Sequence, residues 1–163
     1  MMPILLMLSL ATSVGAAPAD SLDACGLYTR EEVSALAGEA AKKPRAFTIN
    51  PATHSSCTTT TSKLTVKVYI EGYPDKEALQ MSLKALKGVV TNETSKALLP
   101  VSGLGSEAYW GQVGPTNGQF HVVVGTTMVS IQTWGSGPGA GTMEKTRPIA
   151  DIVVKRYKER YGK

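Results

Sequence analysis

Thiols and imidazoles are scarce in this chain of 163 residues: Cys25, Cys57, His54 and His121 are all it has. Without a Cys-x-x-Cys pair or clustered histidines there is no closely spaced ligand set for zinc, and no metal is expected. No Gly-x-Ser-x-Gly elbow occurs, so the usual strand-to-helix mount of a serine nucleophile is missing. No apolar run approaches the roughly 20 residues that a membrane-spanning helix needs. Basic side chains are absent before Arg30, and aromatics make up only 6% of the chain, so a stacking surface has few residues to draw on.

What the N-terminus does contain is a short apolar run, Ile4 to Leu10. Small residues follow from Ala11 to Ala19, with Val14-Gly15-Ala16 and Ala17-Pro18-Ala19 as cleavage sites. The pattern predicts a signal peptide over residues 1–17, with the α-amine as its only positive charge, and a single domain over 18–163. Acylation at Cys25 is disfavoured, because Leu22-Asp23-Ala24 lies well past the apolar run. In an exporting compartment two cysteines are most simply a bridge. A Cys25–Cys57 disulfide closes a loop of 32 positions and should stabilise the fold by about 3 to 4 kcal/mol on the loop-entropy account. His54, three residues before Cys57, is read as a neighbour of that bridge rather than a modulator of a reactive thiol.

The 17 basic and 13 acidic residues leave a net charge of +4. From Glu144 to Lys163 seven basic side chains meet three acidic ones, while the ten of each sign elsewhere cancel. The basicity therefore belongs to the C-terminal segment.

Thr29-Arg30-Glu31-Glu32 has the form of a capping box, and Val33, Leu36 and Ala37 give one apolar stripe before Gly38, which predicts a short helix. Pro44 to Ile49 and Ser55 to Thr61 read as strands around an Asn50-Pro51 turn. From Lys63 to Ile70 apolar Leu64, Val66, Val68 and Ile70 alternate with polar neighbours, the period of a half-buried strand. Pro74 opens a second helix in its first turn, with Leu79, Leu83, Leu86 and Val90 at helical spacing and Lys76, Lys84 and Lys87 facing water. Glu107 to Val113, Gln119 to Val124 and Thr127 to Trp134 read as three consecutive antiparallel strands. A glycine-rich loop from Gly135 to Gly141 leads to a last helix, expected to begin near Thr146 with Arg147-Pro148 in its first turn. The order is α-β-β-β-α-β-β-β-α, which predicts an α+β fold: one antiparallel sheet packed by helices and one disulfide.

Two strings carry a resemblance. Asp23-Ala24-Cys25-Gly26-Leu27-Tyr28-Thr29-Arg30-Glu31-Glu32-Val33, closing with Leu36-Ala37-Gly38, resembles the opening of small bacterial secreted proteins and lipoproteins of unknown function. Gly103-Leu104-Gly105-Ser106-Glu107-Ala108 is similar to their later Gly-Leu-Gly-Asp-x-Ala turn. Ser106 stands where that pattern has Asp, and Thr59 where it has an aromatic two residues after the second cysteine. The resemblance implies an exported, disulfide-bridged α+β module, with the PsbP-like type as one candidate, in the bacterial periplasm or secreted; it brings no established activity.

Gly139 to Thr146 nearly matches a phosphate-binding loop, but Glu144 replaces the second glycine, and a carboxylate there opposes a phosphate. Gly135, Gly137 and Ala140, and again Gly103, Gly105 and Ala108, echo a dinucleotide fingerprint without a parallel sheet around them. No cofactor and no nucleic acid are expected.

The aromatics supply the candidate binding groove: Tyr109, Trp110, His121 and Trp134, placed by strand order near one end of the sheet. The candidate surface for an anionic partner is the last helix, with Lys155 and Lys158 facing away from its core stripe and Arg156 and Arg160 along the border. Its partner would be an acidic envelope protein or an anionic envelope polymer. The leading expectation is an exported, non-catalytic binding or accessory protein. An inhibitor or immunity-type partner of an envelope enzyme is the second expectation, and a small hydrolase centred on His121 the third.

Overall fold

The computed structural model describes residues 21–94 and 97–162. The expected signal peptide lies outside the described residues. Among those described, α1 spans Arg30–Ala37, α2 Lys76–Thr94 and α3 Met143–Tyr161. The strands are β1 (Arg45–Asn50), β2 (His54–Thr60), β3 (Thr65–Gly72), β4 (Leu99–Pro100), β5 (Glu107–Gln112), β6 (Asn117–Val124) and β7 (Thr127–Trp134). All pair antiparallel in one seven-stranded sheet of order β1-β2-β3-β7-β6-β5-β4. The α+β architecture and the order of elements are those the sequence predicts.

The pleat divides the side chains into two faces. One row, read across the register, is Ala46, Cys57, Val68, Ile131, Phe120 and Trp110. The alternate row is Phe47, Ser56, Tyr69, Ser130, His121 and Tyr109. The first face carries the main core, where Val66, Val68, Phe120 and Ile131 pack with Leu27 and Val33 from the N-terminal segment and Ile149 and Val153 from α3. Fully burying a side chain of this size stabilises by about 1.5 to 3 kcal/mol, so this face dominates stability.

Local chemistry explains where the helices begin. At α1 the Thr29 hydroxyl accepts from the Glu32 amide at 3.2 Å while the Glu32 carboxylate accepts from the Thr29 amide at 2.8 Å. That reciprocal box satisfies two of the donors a helix N-terminus leaves open. Ahead of it, a 3-10 turn over Ala24–Leu27 carries Cys25, which is bonded to Cys57 on β2 with Cα atoms 5.0 Å apart. The Ala24 amide donates to Ser55 Oγ at 3.0 Å and the Thr59 hydroxyl to Tyr28 Oη at 3.1 Å, so the same junction is closed on either side of the bridge.

Two helix starts differ from expectation. The α2 cap is Asp75, whose carboxylate accepts from the Ala78 amide at 2.8 Å, and Pro74 stands before it rather than in the first turn. The α3 helix begins a turn earlier than Thr146, capped by Thr142, which accepts from the Lys145 amide at 3.3 Å. Thr146 is instead a buried hydroxyl inside the helix, bonded to Thr133 on β7, and Pro148 lies beyond the first turn. A threonine followed by Arg-Pro mimics a cap in sequence; the β7 hydroxyl opposite it decides the matter.

Candidate functional site

On the second face α2 covers only part of the sheet. Leu79 and Leu83 pack with Val123 and Met128 to form a small separate core, with Tyr73, Leu86 and Tyr109 around it. Beside the helix, where β3, β7 and β6 remain open, lies a groove of about 320 Å³. Its floor is set by strand alternation: Lys67, Tyr69 and Glu71 from β3, Ser130 and Gln132 from β7, Gln119 and His121 from β6, with Leu86 and Met128 as apolar wall.

His121 is the unusual member. It is only 4% exposed, its Nδ1 shares a 3.0 Å hydrogen bond with Ser130 Oγ, and its Nε2 has no partner among the described residues. Burial disfavours the imidazolium and pushes its pKa down from 6.5 to about 4, so the ring is neutral near pH 7. A buried polar atom without a partner costs roughly 1 to 3 kcal/mol. Two other lining groups are paired: the Gln132 amide donates to Asn117 Oδ1 at 3.0 Å, and Glu71 lies 3.3 Å from His54 Nε2.

The Ser130–His121 pair has the spacing of a nucleophile and its base, but not the rest of the machinery. A base needs a group to orient and charge-stabilise it. The nitrogen where such a carboxylate belongs is the unpartnered one, and a ring with a pKa of about 4 is a weak base near neutrality.

The four residues expected to form a groove do not converge. Tyr109 stands directly opposite His121 on the same face, but its hydroxyl is engaged. It accepts from Lys87 Nζ at 2.8 Å and bonds to Glu107, with the Lys87 ammonium 4.0 Å from the ring centre. Trp110 turns to the opposite face, 3% exposed and packed on Phe120 with ring centres 4.7 Å apart. Trp134 is on the His121 face but opposite Thr65 and Asn117, two rows away and outside the groove lining. The expectation of a Tyr109–Trp110–His121–Trp134 groove is therefore corrected: His121 alone lines it. Neighbours in a strand point to opposite faces, so Tyr109 and Trp110 never shared one.

The basic C-terminal surface is corrected in part. Arg156 forks onto Glu32 at 2.7 and 2.8 Å and also reaches the Leu27 carbonyl at 3.3 Å. Burial alone would raise the Glu32 pKa, but the Arg156 hydrogen bonds and charge together with the Thr29 contacts outweigh it and hold the carboxyl below its usual value. Arg160 lies 3.5 Å from Asp23, and Lys155 lies 4.0 Å from Glu159. Both arginines therefore tie α3 to the N-terminal segment, leaving Lys158 as the member of the set with no ion pair among the described residues.

Cys25 and Cys57 are both consumed by the bridge, which fits an exported protein. No cluster of three metal-ligating side chains and no helix long and apolar enough to cross a membrane occurs among the described residues. In the loop that echoes a phosphate site, Gly141 packs against the Thr116–Asn117 backbone.

The groove residues Lys67, Tyr69, Gln119, Ser130 and Gln132 were not singled out by motif. Their only signal is alternation: each sits one position from a core residue on a strand whose second face is polar rather than apolar.

No family model matches the chain, and no curated protein matches it. Among solved structures, the extracellular domain of PknH from Mycobacterium tuberculosis is similar at 13% identity, with a TM-score of 0.49, over 84% of this chain and 95% of that one. At that identity and score the likeness carries no argument about side chains or function.

Proposed function

We propose that this is an exported, non-catalytic binding protein, periplasmic or secreted, whose ligand lies in the groove beside α2. The observation that carries the reading is the buried, neutral His121 with an unpartnered Nε2 at a groove otherwise lined by hydrogen-bonding side chains. A group left unsatisfied at a destabilising cost is accounted for when a ligand completes it. The chemistry favours a small, polar, uncharged ligand. Lys67 and Glu71 put one charge of each sign in the lining, the imidazole adds none near pH 7, and the glutamine and serine side chains both donate and accept. The disulfide, the apolar N-terminal segment and the resemblance to small bacterial secreted proteins support export.

A hydrolase centred on His121 is favoured by one observation, the 3.0 Å contact with Ser130. It would need the imidazole to accept a proton near neutral pH, which burial opposes. The two readings separate in one experiment: thermal-shift and histidine NMR titrations with N-acetylated sugars, disaccharides and dipeptide amides, on the wild type and on Gln119→Leu. Saturable stabilisation that perturbs the His121 ring and is lost in Gln119→Leu is expected. Binding indifferent to that substitution, or turnover of a chromogenic ester abolished by His121→Ala, would defeat the proposal.

A further inference from the structure

The free edge of β1 is built unlike the rest of the sheet. Every residue from Arg45 to Asn50 is exposed, and the strand is hydrogen-bonded on one side only, to β2. Phe47 and Ile49, 67% and 71% exposed, are the most exposed large apolar side chains described, and Phe47, opposite Ser56, is on the groove face. The β1–β2 register slips between Phe47 and Asn50, a bulge that lifts Ile49 out of regular pairing.

Three cations stand at the start of the same edge. Lys42, Lys43 and Arg45 are exposed, and none has an ion pair among the described residues. The Lys42 amide donates to the Thr60 carbonyl at 2.8 Å, so the backbone carrying them is anchored to β2. With Phe47, Thr58 and Thr60 the cations border a concavity of about 520 Å³.

Proteins blunt a sheet edge by placing charge, proline or a short strand on it. Here the cations and Pro44 gather at one end and the strand runs on through Phe47-Thr48-Ile49, so the edge is charged at its entrance and open along its length. We propose that β1 is a docking edge for an extended acidic segment of a partner protein, which adds to the sheet as an eighth strand. Backbone pairing supplies register, Phe47 and Ile49 supply apolar contact, and carboxylates on the partner meet Lys42, Lys43 and Arg45. A second copy of this chain fits less well: antiparallel pairing of two β1 edges would set each trio of cations against the uncharged Asn50-Pro51 end of the other, leaving them uncompensated. The edge does not depend on the His121 groove, and either assignment can fail without the other.

The test uses the exported chain and a fluorescein-labelled peptide, Thr-Val-Thr-Val-Thr-Glu-Asp-Glu, whose acidic end meets Arg45 when it pairs antiparallel. The control peptide replaces the three acidic residues with lysine. Anisotropy titration should give saturable binding of the acidic peptide, at least about tenfold tighter than the lysine peptide and weakening as salt rises. In the Lys43→Glu/Arg45→Glu variant the preference should reverse. Thr48→Pro should weaken both peptides, and bound peptide should slow amide exchange along β1. All these positions are exposed, so the variants should remain folded, which their thermal unfolding verifies. No saturable binding, equal binding of the two peptides, preferential binding of phosphatidylglycerol vesicles, or a concentration-dependent dimer abolished by Thr48→Pro would each overturn the proposal.

Discussion

Replacing His121 with phenylalanine should flatten the acid side of the stability profile. The folded chain holds this imidazole at a pKa of about 4, against 6.5 for an ordinary histidine. Burial is the cause, and the unfolded chain binds the extra proton more readily. Stability therefore rises with pH between these values, is complete above about 6.5 and is lost as pH falls toward about 4. The full difference corresponds to about 3 kcal/mol, of which about 1 kcal/mol is already gone by about pH 5.5. The ring is more than nine-tenths buried, so solvent screening reduces this little. The assay is urea unfolding across this pH range for the wild type and His121→Phe, compared as a difference curve. Losing the Ser130 contact shifts the variant by a constant, which drops out of the slope. Glu32 and Glu39 act in the same direction at lower pH: both have depressed folded pKa values, Glu39 about 2, so what they contribute is present above 4.5 and lost below it, equally in both proteins. A difference curve with no slope between about pH 6.5 and pH 4.5 would show that the imidazole is solvated or paired in the folded chain, and would remove the support for the groove reading.

Reducing the Cys25–Cys57 bridge, or replacing both cysteines with serine, should lower unfolding free energy by about 3 to 4 kcal/mol for a loop of this length, read by urea titration with and without reductant. Gly118→Ala should destabilise by about 2 to 3 kcal/mol and alter Trp110 fluorescence, because a Cβ there would fall on the Trp110 ring and the Gly141 carbonyl. Arg156→Ala should cost about 1 kcal/mol, discounted for a side chain that is 36% exposed, and should return the Glu32 pKa toward the ordinary carboxylate range in an NMR titration.

Much of the fold was legible because local periodicity and tertiary demand agree. Leu64, Val66, Val68 and Ile70 alternate in the sequence and are all buried on the core face. Thr29 and Glu32 form the capping box their spacing predicts, although no spacing rule shows that Glu32 also receives Arg156 from α3, 124 residues away. The α3 start was misread because Thr146 looks like a cap until Thr133 is placed opposite it. The two-residue β4 has too little length for a period, and its pairing with β5 is visible only in three dimensions.

The candidate site was less legible. His121 was a candidate because histidines are scarce, yet its partners Ser130, Gln119 and Lys67 are ordinary polar residues with no motif. They meet because β3, β7 and β6 are neighbours, an order that crossovers through α2 and β4 to β6 decide. The basic residues of α3 formed a conspicuous patch in the sequence, but two of its four members proved to be struts.

Composition and order alone determined the α+β class, the single bridge and the alternation that builds the core face, since each depends on contacts within a few residues or on the only two cysteines present. Tertiary structure decided which polar side chains share a groove, that Trp110 joins the core, that Arg156 and Arg160 are neutralised, and that β1 is left with an open edge. Those outcomes depend on which strands become neighbours and on how far α2 and α3 reach across the sheet, and no local pattern encodes either.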